Sequence, residues 1–441
     1  MRLALAAAMV LACGVAAAQV AGQVESARGV GFAQAPGEVP RTLGTGLPLR
    51  EGDRLTTAEG ASAIIKLEDG TRMTVRPNSE LVLQQYSYRE NAPAGNSMLM
   101  QLVRGGFRAV TGLIAKASPN AARVQTSTAT IGIRGTDFDA RLCARDCGGE
   151  SARIAEAPRP NAPVASARVV QLQGPLSAVD AAGQRRRLAE GAAVYPGDLV
   201  ETEAGTRAVL AFRDESRLTL GASTRFRIDN FVYDERNAGE GRFLVSILKG
   251  TVRALTGLIA KANNRNVGFA TSTATIGVRG TGLDISCTGA CAGEPGGPDT
   301  GLTVFTWLGS IVVSPTGQTA LQALLEGQGL FISPSGIRLL NSPPPMDGPR
   351  PDGVNVPGNL FSTEGINDLN EGLFVFVRDG HIEIATATQI LHLGKNEAGF
   401  AGADGGTGRP PFIPKFIEFD PIPPPGSPNW LRLSLAGNTC R

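Results

Sequence analysis

The stretch TSTATIGIRGT, residues 126–136, returns 145 positions later as TSTATIGVRGT, residues 271–281. The two differ only at Ile133 against Val278, one methylene. The same offset lays TGLIAKA of residues 111–117 on TGLIAKA of residues 256–262, and EGDRLTT of residues 51–57 on PGDLVET of residues 196–202. One module is therefore written twice along the chain. What both copies keep, the module needs; what only one keeps, it can do without.

Within each copy, short runs alternate apolar and polar residues between turn signals, the period of strands. Residues 63–67, 73–75 and 81–83 form such a series in the first copy, and residues 209–212, 218–220 and 226–228 repeat it in the second. Asp69-Gly70 is a hairpin-turn dipeptide, answered by Glu215-Ser216. Further strands are expected at residues 169–174, 302–306, 309–313, 327–332 and 374–384. No amphipathic helix longer than two turns is evident. The pattern predicts an all-β protein of strands about five residues long.

The domain plan expected from these patterns is a signal peptide at residues 1–18, one module at 19–152, a linker at 153–165 and a second module at 166–340. A Pro/Gly-rich region at 341–441 follows, carrying a small β unit near 372–400. The stretches at 153–165, 341–357 and 401–428 read as irregular or extended rather than packed.

Gly and Pro, 56 and 29 of 441 residues, make a turn-rich globular composition. A formal charge of +2 supplies no basic surplus for nucleic acid, and 4 Tyr and 2 Trp are too few for base-stacking platforms. Arg2, the apolar run 3–15 and Ala16-Ala17-Ala18 have the layout of an export signal cleaved before Gln19. Lipidation at Cys13 is the competing reading. No later run of residues is apolar for long enough to span a membrane as a helix. Cys143 and Cys147, then Cys287 and Cys291, each follow a copy of the repeated phrase. In an exported chain such close pairs read as local disulfides, leaving Cys440 over.

At G-D-x-x-x-T (Gly52, Asp53, Thr57; Gly197, Asp198, Thr202), at T-x-T-A-T-I-G-[IV]-R-G-T, and at Gly309-Ser310-Ile311, the chain resembles the FecR-like domain family. The resemblance implies a periplasmic all-β domain of short β-helix-like coils, with β-sandwich modules as the alternative. In the family's founding members the domain lies outside an inner-membrane anti-sigma regulator and relays a signal from an iron-siderophore receptor. Here a cleavable-looking signal replaces the cytoplasmic sigma-binding segment. The resemblance thus implies two exported modules whose partner, an envelope protein or a glycan, is unassigned.

On a strand, Thr126, Thr128 and Thr130 would share one face, as would Thr271, Thr273 and Thr275. Such a row either pairs with neighbouring strands or presents a polar stripe to a glycan or peptide. Gly135 and Gly280 fit corners leaving a strand. Arg134 and Arg279, beside Thr136 and Thr281, could fork onto carboxylates. Asp53 and Asp139 are the candidate clamps for Arg134, and Asp198 and Asp284 for Arg279; an anionic ligand is the other candidate. The two histidines, His381 and His392, lie outside the repeated phrases, and His381 follows a turn signal that suggests an exposed hairpin. No nucleophile elbow, phosphate loop or H-E-x-x-H pair marks an enzyme, and no cofactor is implied. The expectation is a non-catalytic exported binding or scaffold protein, with a periplasmic signalling component as the alternative.

Overall fold

The structure, a computed structural model, describes residues 20–117, 121–318 and 320–425. The expected export signal, Cys13 and Cys440 lie outside the described residues. Two compact units emerge: residues 1–126 with 421–441, and residues 127–420. Both are all-β. The longest α-helix among the described residues, Cys147–Ala152, has 6 residues, and no described helix is long and apolar enough to cross a membrane.

Strands of 14 residues dominate: β1 (Ser97–Val110) in the first unit, then β2 (Thr130–Cys143), β3 (Arg242–Leu255), β4 (Ala274–Cys287), β5 (Leu302–Pro315) and β6 (Gly372–Ala385) in the second. They are far longer than the five residues expected, for a local reason. Each carries a mid-strand glycine at positive φ, from 58° at Gly135 to 93° at Gly380. The pairing register shifts beside Gly135 and Gly280. A left-handed glycine lets a strand bend through a bulge without ending, so two short segments become one bent strand.

The two copies pair alike. Ser62–Leu67 pairs with Arg72–Val75, which pairs with β1. In the second copy, Arg207–Phe212 pairs with Arg217–Leu220, which pairs with β3. The second copy's core holds Phe212, Phe226, Phe231, Phe243 and Phe269, with the rings of Phe212 and Phe243 4.6 Å apart. At the corresponding positions the first copy buries Leu67, Leu81, Tyr86, Met98 and Val124. Four of these slots take smaller or more flexible aliphatic groups, and the fifth keeps an aromatic ring as Tyr86.

Chain order is less regular. β4 pairs antiparallel with β5, the next long strand, and β5 pairs with Gln322–Leu325 and Gly329–Ser333. The first copy's motif strand, β2, instead pairs with β6, beyond the whole second copy. β6 in turn pairs with Ile390–Leu393 and Glu397–Gly402, as β5 does with its own two strands. The second copy is therefore inserted between the first copy's motif strand and the strands that pair with it. The small β unit near 372–400 belongs to β2.

The expectation that the Pro-rich stretches stay unpacked is corrected. Asn161 is buried, donating to Ala398 O at 2.8 Å and Pro410 O at 2.7 Å and accepting from Ala398 N at 2.8 Å. Ile413, Phe416 and Ile417 pack with Phe374, Phe376, Phe400, Cys143 and Cys147 into one cluster. Residues 347–354 run along the second copy, where Thr219 Oγ1 donates to Pro349 O at 2.9 Å and Arg217 Nη1 to Val354 O at 2.9 Å. Proline presets an extended backbone, and carbonyls left without a sheet find side-chain donors instead.

Candidate functional site

The repeated residues build the scaffold. Asp53 Oδ2 accepts from Arg50 N at 2.8 Å while its Oδ1 takes Arg41 Nη2 at 2.5 Å. Asp198 Oδ2 accepts from Tyr195 N at 2.7 Å, and Arg186 reaches both carboxylate oxygens, one at 3.0 Å. In both copies the arginine stands 12 residues before the aspartate. That shared spacing was the signal available in the sequence. Asp139 holds Arg378 Nε at 2.7 Å. Asp284 takes Arg253 Nε at 3.0 Å and Trp307 Nε1 at 3.1 Å. Burial pushes the Asp284 carboxyl up, and Arg253 opposes it.

The clamps proposed for the motif arginines are therefore not the ones observed. Arg134 Nη2 lies 3.3 Å from Glu383, on β6. Arg279 is exposed, and its side chain makes no hydrogen bond or ion pair among the described residues. The Gly135 and Gly280 bulges separate each arginine from the aspartate further along its strand, and other arginines reach those aspartates first. Arg279→Ala should accordingly change stability by no more than about 0.5 kcal/mol, read from urea denaturation midpoints.

The threonines divide in two. Thr126, Thr128, Thr271 and Thr273 precede β2 and β4 in a turn rather than lying on a strand face. Thr271 Oγ1 donates to Ala274 O at 3.1 Å and accepts from Ala274 N at 3.0 Å, a side-chain mimic of a turn. Thr130 and Thr275 are strand residues. The last threonine of the phrase ties neighbouring long strands together. Thr136 Oγ1 donates to His381 O at 3.0 Å, and Thr281 Oγ1 to Ser310 O at 2.9 Å. Thr57 and Thr202 instead tie the ends of four-residue strands to the residues that follow a neighbouring strand, donating to Arg76 O at 2.5 Å and Gly221 O at 2.7 Å.

TGLIAKA is explained by the hairpin turn beside it. Asp69 accepts from Thr71 N at 3.1 Å, and Thr71 Oγ1 accepts from Gly112 N at 2.9 Å. Asp214, Ser216 and Gly257 repeat this with distances of 3.1 and 2.8 Å. The approach leaves no room for a side chain: a Cβ on Gly257 would lie 1.9 Å from Asp214 O, and one on Gly112 2.2 Å from Asp69 O.

Cys143 and Cys147 are 1.96 Å apart at sulfur, and Cys287 and Cys291 2.07 Å, so both pairs expected as disulfides are at bonding distance. Among the described residues, no three His, Cys, Asp or Glu side chains gather as a metal set would.

Sequence reading missed a polar core around β6. Arg168 and Glu397 are fully buried and Arg409 is 1% exposed. Arg168 Nη2 lies 2.7 and 2.5 Å from the two Glu397 oxygens, and Arg409 Nε 3.2 Å from Oε2. Burial lowers the Arg409 guanidinium to about 10, against the pull of Glu397. His381, expected on an exposed hairpin, is only 9% exposed, inside β6. Its ring is 5.4 Å from that of His392. The second copy has Ser310 and Ala323 at the corresponding places, so no comparison of the copies could flag this pair.

Both imidazoles are held neutral. Burial, then the neighbouring Arg168 and Arg134, lowers His392 from 6.5 to about 3. Burial, then His392, puts His381 well below its ordinary value. A base depressed in the folded state binds its proton better when unfolded. Stability is therefore whole above pH 6.5 and falls as the pH drops toward 3. His392→Ala, which copies Ala323, should lose less stability between pH 7.5 and 5 than the parent, measured by urea titration at each pH.

The family model for FecR protein matches residues 53–152 and 198–292. Each match opens at the clamped aspartate and closes just after a cysteine pair. No curated protein matches the chain. Among solved structures, two crystal structures of a protein described as a candidate anti-sigma factor from Parabacteroides distasonis, at 1.65 and 2.50 Å, are similar at 17% identity with a TM-score of 0.25. The match covers 33% of this chain and 59% of that one. With its duplicated clamps, corners and cysteine pairs falling inside the two matched segments, this chain carries two FecR-like modules.

Proposed function

We propose that this is a non-catalytic, exported binding or scaffold protein that displays two FecR domains to a partner in the cell envelope. The observation that carries the reading is where the retained residues go. Asp53 and Asp198, Thr57 and Thr202, Thr136 and Thr281, and Gly112 and Gly257 all bond or pack inside the module. A signature directed inward codes for a rigid support, and recognition then falls to the faces that differ between copies. The export-like leader and the two cysteine pairs favour an oxidising compartment outside the cytoplasm. The partner is an envelope protein or a glycan.

The two segments similar to FecR protein favour a second reading, a periplasmic component of a signalling relay. Pull-down from an envelope extract, read by mass spectrometry, separates the two. A transport receptor together with an anti-sigma protein is expected under the relay reading. An envelope protein or glycan without either supports the scaffold reading, and recovery of no partner counts against both.

A further inference from the structure

The corner at Arg134 differs from the corner at Arg279 in one respect that the fold does not require. It opens on a cavity of about 780 Å³, within the size range of small-ligand sites. One wall is Arg134, Gly135, Gly380 and His381; the other is the hairpin of Leu176–Val179 and Arg185–Leu188. Five cationic side chains line it, Arg134, Arg185, Arg186, Arg187 and Lys395, against Asp180, Asp198 and Asp379.

Most of these charges are already committed. Arg186 holds Asp198, Lys395 lies 3.1 Å from Asp379, and Arg185 lies 2.6 Å from Glu201. Asp180 closes its own turn, accepting from Ala182 N and Gln184 N at 2.9 Å each. Three groups remain. Arg134 Nη1 and His381 Nε2 are buried without a hydrogen-bond partner. Arg187 makes no ion pair among the described residues and is exposed. A buried donor left unsatisfied costs free energy that a ligand acceptor would recover.

In the first copy, Pro40 and Thr42 stand where Arg185 and Arg187 stand here, while Arg41 matches the clamp Arg186. The flanking arginines are thus additions to the module. So is His381, whose counterpart beside Arg279 is Ser310.

We propose that this cleft binds an oxyanion, a carboxylate or phosphate carried by a small envelope ligand or a chain end. Arg134 and Arg187 supply charged N–H donors, and the neutral His381 donates from Nε2 in the tautomer an anion selects. Guanidinium groups suit both anions because their paired N–H groups match two oxygens at once. The site adds a ligand to the scaffold reading and does not depend on the protein partner.

Calorimetric titration of the full chain with inorganic phosphate, with citrate and with neutral galactose tests it. Saturable binding of phosphate or citrate, and none of galactose, is expected, and the tighter of the two identifies the oxyanion. Arg187→Ala, on an exposed side chain, should weaken binding about tenfold, as should His381→Ser, which copies the second copy. Arg279→Ala should leave it unchanged. Bound anion should also raise the melting temperature of the parent and not of Arg187→Ala. The proposal is overturned by no saturable binding at anion concentrations up to about 10 mM, or by binding that survives both Arg187→Ala and His381→Ser. Loss of a pull-down partner with anion binding intact would instead fail the protein-partner reading alone.

Discussion

Glu397→Ala should be the most damaging single substitution in the second unit, lowering stability by about 3–5 kcal/mol. The carboxylate is the one negative charge shared by Arg168 and Arg409, and all three groups are withdrawn from water. Without it two guanidiniums stay buried with backbone acceptors alone: Gly191 O at 2.8 Å for Arg168, and Asn359 O at 2.6 Å together with His392 O for Arg409. None of these carbonyls carries a countercharge. Since a domain's whole stability is about 5–15 kcal/mol, the urea midpoint of the full chain should fall markedly. A triple variant, Arg168→Met with Glu397→Leu and Arg409→Met, should recover most of the loss, because removing every charge also removes its desolvation cost. A Glu397→Ala chain as stable as the parent would mean that the triad is solvated and not the buried network described.

Gly257→Ala should rank second, at about 3 kcal/mol, at the upper end of overpacking costs. Its new methyl would meet the backbone carbonyl of Asp214 at 1.9 Å and the amide nitrogen of Ser216 at 2.4 Å. Backbone atoms cannot swing aside as a side-chain tip can, so the short helix Leu258–Ala262 must detach from the hairpin turn that anchors it. Gly280→Ala is the telling comparison. Gly280 belongs to the most specific part of the repeated phrase, yet a Cβ there has nothing within 4 Å. Its cost is the left-handed backbone alone, about 1–2 kcal/mol. Thermal melts should therefore place Gly280→Ala well above Gly257→Ala; the reverse order would show that the RGT corner is tighter than its geometry indicates.

Much of this architecture was legible in the repeat. The 145-residue offset placed the strands, the turns and the cysteine pairs, because each is decided by residues close in sequence. The arginine clamps were not legible in the same way. Asp53, Asp139, Asp198 and Asp284 stand out as carboxylates retained in both copies, but retention together with the R-G-T phrase points to Arg134 and Arg279 as their partners. The true partners, Arg41, Arg378, Arg186 and Arg253, are fixed by strand pairing, which a bulge can redirect. Glu397, Arg168 and Arg409 look like surface charge in a linear reading, since burial of ions depends on which strands meet. His381 was misread for a related reason: Asp379-Gly380 signals a turn, but here the glycine bends a continuous strand.

The insertion of one copy inside the other also sets a timetable for the newly made chain. Roughly 230 residues lie between the end of β2 at Cys143 and the start of β6 at Gly372. At about 5–20 residues per second, β2 waits on the order of ten to fifty seconds for that partner strand to be synthesised. β4 waits for β5 across a gap of only residues 288–301. The inner copy can therefore finish while the outer one still offers β2 as an open sheet edge, the part of a β protein most prone to capture by another chain. Any factor that shields nascent strands during biogenesis would find its longest task here, at the RGT strand that comes first in the chain and is paired last.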